Sequence, residues 1–293
     1  MVSLEPEREH GAPSMDAPVT RNGNESHSIP SHINTMQPGQ AVDQNPQRGQ
    51  QTSSQTRGPG NHKKNKTTRA TLKVASLNIR GGGSVTTKEK CKHINQIMQK
   101  WQIAILAVQE TYLKQTDIEE IHSQFYGRME IKNTSDSDHP NAKGVTFVLN
   151  KQKMAWKEAL VTEIIPGRAI RLEIPWQDAW INILVIYAPN SPAENAEFWV
   201  TLHDKWVQVN PPMPDIILGD FNLVEEMIDR LPAHADAHRA VDKLRDFKEL
   251  LGLIDGWRRT NPTVKAYSFT QEATQSQSQI DQIYVTQPMY KNS

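Results

Sequence analysis

The chain has 293 residues, with 33 Lys+Arg against 33 Asp+Glu and a single cysteine. The balance excludes a wholly basic nucleic-acid coat or an acidic tail, although an enzyme can still place basic groups locally. Cys91 alone excludes an intramolecular disulfide and a cysteine-built zinc site, and it favours a reducing, intracellular setting.

The length allows one large domain or two small ones with a sizeable core. The start MVSLEPEREH is acidic and lacks an apolar stretch, so it does not read as a signal peptide. The most apolar run, around Trp180 to Ala188, carries Asn182 and is too short to span a bilayer; no membrane association is expected.

Composition changes sharply near Ala70. Residues 1–69 contain no Phe, Trp, Tyr or Cys and are rich in Gln, Ser, Asn, Pro and Gly. Such a segment buries too little apolar surface to offset its ordering entropy, so it is expected to be disordered, with a folded domain over 70–293. The run His62-Lys63-Lys64-Asn65-Lys66 reads as a nuclear address, a phosphate-contacting arm or a solvated basic patch.

From Ala70 onward, strand-length apolar runs alternate with stretches of helical period. Thr71–Asn78 predicts a strand, and Thr86–Trp101 a helix with Ile94, Ile97, Met98 and Trp101 on one face. His93 in that helix reads as a partly buried structural residue. Ile103–Val108 predicts a buried strand and Asp117–Phe125 a short helix. Gly144–Leu149, Ala169–Ile174 and Trp180–Tyr187 follow as strands rich in branched residues. Ala193–Val209 predicts a helix ended by Asn210 and two prolines, and Asp215–Leu218 a short strand. Ala240, Val241, Leu244, Phe247, Leu250 and Leu251 form a helical stripe stopped by Gly252. Tyr267–Thr270 and Ile280–Val285 predict the last strands. This mixture suggests an α/β fold of two packed sheets with helices outside.

In layered α/β proteins ligands bind beyond strand ends, so the polar residues that end apolar runs carry the information. The first strand ends at Asn78, IAILAV runs into Gln109-Glu110, WINILVIY ends at Tyr187 before Ala188-Pro189-Asn190, DIIL runs into Gly219-Asp220-Phe221-Asn222, and Asp281 enters the final strand. Singly, each has a bland reading: Asn and Asp-x-Asn as turn formers, Glu110 as the start of a helix. Together they are hard oxygen donors without Cys or His, which suits Mg²⁺, with Mn²⁺ as an alternative, and does not suit zinc. Such a set fits a phosphoester-cleaving site.

LNIRG, QET, YAPN, GDFN and SQIDQIYV, in that order, resemble the endonuclease/exonuclease/phosphatase family over Ala70 to the end. YAPN, where other branches carry a histidine, and DGWRRTNP before YSFT are most similar to the apurinic/apyrimidinic-type endonuclease domains of non-LTR retrotransposons. The resemblance implies a four-layer α/β sandwich and hydrolysis of a DNA phosphodiester to leave a nick. It implies Glu110 as the main metal-binding carboxylate with Asn78 beside it, and Asp220 orienting or deprotonating the attacking water. Asn222 would hold the phosphate and help place Asp220, Tyr187 and Asn190 would contact the scissile phosphate, and Asp281 would orient a histidine.

The pattern departs from the family in three places. The family's downstream Ser-Asp-His block is not matched, and the last histidine is His238, so a truncated copy with little or no activity is expected. An unpaired sheet edge is expected to go with it. Arg80 stands where apurinic-type enzymes often place an acid; it either contacts phosphate or is solvated. Gln279 stands where an Arg is frequent. Gly81-Gly82-Gly83 reads as a loop beside the site, since no Lys-Ser/Thr follows to make a phosphate loop. His234 and His238 read as a surface pair. The leading expectation is a Mg²⁺-dependent DNA-nicking endonuclease of retroelement origin. The competing ones are a non-catalytic remnant with at most weak nucleic-acid binding and, disfavoured by YAPN, a phosphoesterase for lipids or nucleotides.

Overall fold

The computed structural model describes residues 34–35, 71–81, 84–134 and 143–291. In chain order the elements are β1 (Asn34–Thr35), β2 (Val74–Asn78), α1 (Ser84–Trp101), β3 (Ile105–Gln109), α2 (Gln115–Gln124), β4 (Met129–Thr134), β5 (Val145–Asn150), β6 (Leu160–Ile165), β7 (Ala169–Trp176), β8 (Ala179–Tyr187), α3 (Pro192–Val209) and β9 (Ile216–Asp220). They continue as β10 (Arg230–Leu231), α4 (His238–Leu251), β11 (Leu253–Asp255), α5 (Gly256–Thr260), β12 (Phe269–Thr270), β13 (Gln277–Ser278), β14 (Asp281–Thr286) and α6 (Gln287–Lys291). Among the described residues the strands make a five-stranded sheet of order β1-β2-β3-β5-β4, a six-stranded sheet of order β11-β14-β9-β8-β7-β6, and a small sheet of order β10-β13-β12.

Period-two alternation explains how the large sheets stack. On β8, Ile181, Ile183, Val185 and Tyr187 join Val74, Ile105, Ala107, Phe147 and Leu149 of the first sheet in one core. The intervening Leu184 and Ile186, with Ala188 after the strand, pack against Trp199, Leu202 and Trp206 of α3 and Leu244 and Phe247 of α4. β8 is therefore apolar on both faces, which is why it reads as a continuous run. On the outer face of the first sheet, Ile94 and Met98 of α1 and Ile121 of α2 are buried. The order helices, sheet, sheet, helices is the predicted four-layer sandwich. Each fully buried Leu, Ile or Phe in these layers contributes about 1.5–3 kcal/mol.

The helix stops are chemical. Asn210 ends α3 at φ +48° and Gly252 ends α4 at φ +62°, both in the left-handed region that closes helices. Trp101 differs from its predicted place on the buried stripe: as the last residue of α1 it reaches past the sheet and is 46% exposed. His93 is exposed, not partly buried, because it sits one residue before the Ile94 face. His234 and His238 are on the surface. β1, the one described part of residues 1–69, pairs antiparallel with Ala75 and Ser76 of β2. The expectation of disorder otherwise falls outside the described residues, as do His62–Lys66, Gly82 and Gly83.

Candidate active site

The alternation that builds the core also builds the site. Val74, Ser76 and Asn78 share one face of β2; Ile216, Leu218 and Asp220 share one of β9; Ile183, Val185 and Tyr187 one of β8; Asp281, Ile283 and Val285 one of β14. The apolar members of each series lie in or against the layer between the sheets, and the member at one end is polar. Asp220 lies opposite Tyr187 in the parallel pair and opposite Asp281 in the antiparallel pair, while Asn78 lies opposite Gln109, the residue before Glu110. The polar ends therefore gather where the inter-sheet core gives out.

Asn78 joins the two sheets there. Its Nδ2 donates to Glu110 Oε1 at 2.8 Å and to Asp220 Oδ2 at 2.7 Å, while its Oδ1 accepts from the Arg80 N–H at 2.8 Å. Tyr112 Oη donates to Glu110 Oε2 at 3.3 Å. The Asn222 N–H donates to Asp220 Oδ1 at 2.9 Å, and Asn222 Nδ2 donates to the Ala188 carbonyl at 2.8 Å, so Asn222 aims Asp220 and ties its own loop to that after Tyr187. The backbone takes strained forms to allow this: Arg80, Glu110, Tyr112 and Asn222 all have positive φ, which concentrates at functional sites.

The electrostatics follow from crowding acids in a dry place. Burial, then the neighbouring Asp281 carboxylate, pushes Asp220 well above the usual carboxylate range, against the pull of Asn78 and Asn222. Burial raises Asp281 to about 6, with Ser268 and the Arg80 charge pulling it back. Tyr187 is raised by burial and then by Glu110 and Asp220; the Arg168 guanidinium, 4.7 Å over its ring, opposes this.

Four of the supporting residues had no role in the sequence reading. Tyr112 follows QET directly and could have been included on that ground. Arg168 donates from Nη1 to the Tyr187 carbonyl at 3.1 Å. Ser268 Oγ accepts from the Asp281 N–H at 3.0 Å. Asn195, buried on α3, donates from Nδ2 to the Pro189 and Phe221 carbonyls, both at 2.9 Å, and accepts from Trp199 Nε1 at 2.8 Å. One amide thus holds the loops carrying Asn190 and Asn222 together. No local pattern marks Arg168, 19 positions before Tyr187, or Asn195, which reaches 26 positions to Phe221, while Ser268 falls inside the YSFT string. Gly219 does have a physical explanation: at φ +143° a Cβ there would lie 2.0 Å from the Ile186 carbonyl oxygen, so only glycine lets β9 approach β8 beneath Asp220.

Of the remaining predicted residues, Asn190 is exposed just beyond buried Pro189. Arg80 is exposed on the rim, its guanidinium 5.1 Å over the Phe269 ring. Asp281 faces Ser268, Arg80 and Glu110, and no histidine follows His238 in the sequence. Arg258, in the string DGWRRTNP, stacks 4.7 Å over Trp257 but is buried, binding Asp229 and the Asn261 and Val264 carbonyls, so it serves the scaffold.

The donors fit a small hard cation. Glu110 and Asp220 are carboxylates held by one amide, and no thiol or imidazole is among them. Among the described residues no group of three or more His, Cys, Asp or Glu is placed to hold a metal ion.

The endonuclease/exonuclease/phosphatase family model matches residues 75–292. The chain belongs to this family. A transposon TX1 uncharacterized 149 kDa protein of Xenopus laevis is 32% identical over 128 residues, which is 43% of this chain and 10% of that protein. The chain thus spans about a tenth of the length of the curated relative it matches. Among solved structures, an AP endonuclease from Archaeoglobus fulgidus superposes with a TM-score of 0.60 at 17% identity, covering 75% of this chain and 89% of that one. The endonuclease domain of TRAS1, a telomere-specific non-LTR retrotransposon, superposes with a TM-score of 0.51 at 15% identity, covering 75% and 88%. At these identities the structural likeness establishes the fold. Among the described residues no helix is long and apolar enough to cross a membrane.

Proposed function

We propose that this member of the endonuclease/exonuclease/phosphatase family is a Mg²⁺-dependent phosphodiester hydrolase that nicks DNA, of the kind carried by retrotransposons. The observation that supports it is the Asn78 amide bound at once to Glu110 and Asp220, which brings a metal-type carboxylate and a base-type carboxylate to one point between the sheets.

In this reading Glu110, with Asn78 beside it, holds Mg²⁺, for which Mn²⁺ can substitute. The ion supplies charge to offset that building on the phosphoryl oxygens. Asp220, whose affinity for protons is raised by burial, takes a proton from the attacking water. The Asn222 N–H fixes the orientation of Asp220. Tyr187 and Asn190 line the path of the scissile phosphate, with Arg80 at the rim as a further phosphate contact. Asp281 places a second carboxyl beside Asp220 and raises its affinity for protons further. No residue from Arg239 to Ser293 is a histidine, so in this reading no imidazole from these positions protonates the phosphate oxygens.

The test is conversion of supercoiled plasmid to nicked circle by the purified chain. Nicking with Mg²⁺ or Mn²⁺, stopped by EDTA and by Glu110→Ala or Asp220→Asn, supports the reading. Nicking that persists in EDTA or in Glu110→Ala overturns the assignment. Binding of metal without any nicking, even at long times, would make the chain a non-catalytic remnant.

A further inference from the structure

At the opposite end of the first sheet from the site, the structure carries a second feature that the endonuclease reading does not use. Lys73 precedes β2, Lys100 and Trp101 end α1 before β3, Tyr126 and Arg128 precede β4, and Lys151, Lys153 and Trp156 follow β5. Backbone bonds make these segments neighbours. The Ala104 N–H donates to the Lys73 carbonyl at 2.9 Å, the Asn150 N–H to Ala104 at 2.8 Å, and the Lys151 N–H to Arg128 at 2.9 Å. Side chains tighten the set: Lys73 Nζ donates to the Trp101 carbonyl at 3.2 Å and Lys151 Nζ to the Tyr126 carbonyl at 3.0 Å.

Two properties of this end point to a ligand class. The first is its aromatics. Tyr126 is 82% and Trp101 46% exposed, where rings of this size normally seek cover. The second is that cations interleave with them. Lys100 lies 5.4 Å from the Trp101 ring, and Lys151 5.5 Å from Tyr126 and 4.4 Å from Trp156. Lys151 is itself largely covered and ion-paired to Glu130 at 3.1 Å, so the exposed charge of this end comes from Lys100, Arg128, Lys153 and Lys157, with Glu158 the other acid in these segments. In a chain of zero formal net charge this is a local excess. Lysine is depleted at protein–protein interfaces, whose centres are contiguous and apolar; here the rings are separated by ammonium groups. Isolated rings among ammonium groups suit a polyanion that also offers flat faces.

We propose that this face is a second binding site, for single-stranded nucleic acid, with unpaired bases stacking on Tyr126 and Trp101 and phosphates following the lysines. Duplex offers the same phosphates but keeps its base faces stacked, so the aromatic component selects the single strand. A five-residue strand such as β3 separates the two ends by about 17 Å. The strand held here is therefore distinct from any phosphate held at Asp220, and the proposal stands independently of the endonuclease reading.

The experiment is fluorescence anisotropy of a labelled mixed-sequence single-stranded DNA of about 20 nucleotides, and of the same sequence as duplex. Both are titrated with the full chain in EDTA over a series of salt concentrations. The single strand is expected to bind more tightly. Tyr126→Ala should weaken it about ten-fold, and Lys153→Glu with Lys157→Glu should weaken both forms and flatten the salt dependence. These positions are exposed, and thermal melting checks each fold. Asp220→Asn should leave this binding unchanged while removing any nicking, which separates the two sites. Equal affinity for both forms, or wild-type binding by Tyr126→Ala and by the lysine double variant, overturns the proposal.

Discussion

Asn78 and Asp220, 142 positions apart in the chain, meet through a single 2.7 Å hydrogen bond that crosses from one sheet to the other. The same amide nitrogen reaches Glu110 at 2.8 Å, so it is shared by both carboxylates. Each sheet contributes a strand end, and the bond forms only if the sheets pack in the right relative position.

Replacing Asn78 with Ala removes this shared donor while keeping both acids. The expected result is a loss of about a hundred-fold in nicking, in the range found when one positioned donor is deleted. The fold should survive, since Asn78 is only partly buried at a strand end. Single-turnover nicking alongside a melting curve checks both.

Asn195 should behave as a structural clamp with a functional consequence. Asn195→Leu leaves the Pro189 and Phe221 carbonyls and the Trp199 indole N–H without their buried partner. At about 1–3 kcal/mol for each unsatisfied buried group, partly relieved by rearrangement, the chain should lose roughly 3 kcal/mol in urea unfolding. A loss under about 0.5 kcal/mol, the level of an ordinary surface change, would show that the two loops are held by other means.

Gly219→Ala tests why the GDFN string begins with glycine. A methyl group would fall 2.0 Å from the Ile186 oxygen on a backbone that other residues rarely adopt. The β8–β9 pairing, which sets Tyr187 opposite Asp220, has to open. The expected outcome is poor soluble expression or a loss above about 3 kcal/mol, from steric and backbone strain together; near wild-type stability would contradict the register.

A pH dependence is expected from Asp229. Burial raises its carboxyl from 3.8 to about 6, and Arg258 pulls the other way. The folded state therefore holds this proton more tightly than the unfolded chain. Its contribution to stability is fully present below about pH 4 and is lost as pH rises through 6. Unfolding midpoints from pH 4 to pH 7 should show a decline that is shallower in Asp229→Asn, with a difference of about 1 kcal/mol after allowance for solvent screening, while raised Asp220 and Asp281 leave a residual slope in both. Parallel pH profiles for the two proteins would contradict it.

The fold was legible because its layers write themselves as period two and period 3.6. The runs now seen as β3, β5, β7, β8 and β9, and the stripes of α3 and α4, stand out in the sequence to within a few residues. Exposed or tiny strands do not: β6 shows water most of its side chains, and β10, β12 and β13 hold two residues each, too few for a period. The candidate site was legible where side chains end long apolar runs, as at Asn78, Tyr187 and Asp220. It was silent where support comes from across the fold, as with Arg168 behind Tyr187 and Asn195 between two loops. The exposed Trp101 was misplaced because a helical stripe does not reveal where the sheet beneath it stops.

The central claim is that Glu110, with Asn78 beside it, holds one divalent cation at the point where Asp220, Asn222 and Asp281 also gather. Paramagnetic broadening by Mn²⁺ tests this without any turnover, read on the assigned amide signals of the full chain. At substoichiometric Mn²⁺ the side-chain amides of Asn78 and Asn222 and the backbone amides beside Glu110 and Asp220 should broaden first. Mg²⁺ should compete, and Glu110→Ala should remove the effect. Broadening that centres elsewhere, or that is untouched by Glu110→Ala, would contradict the account.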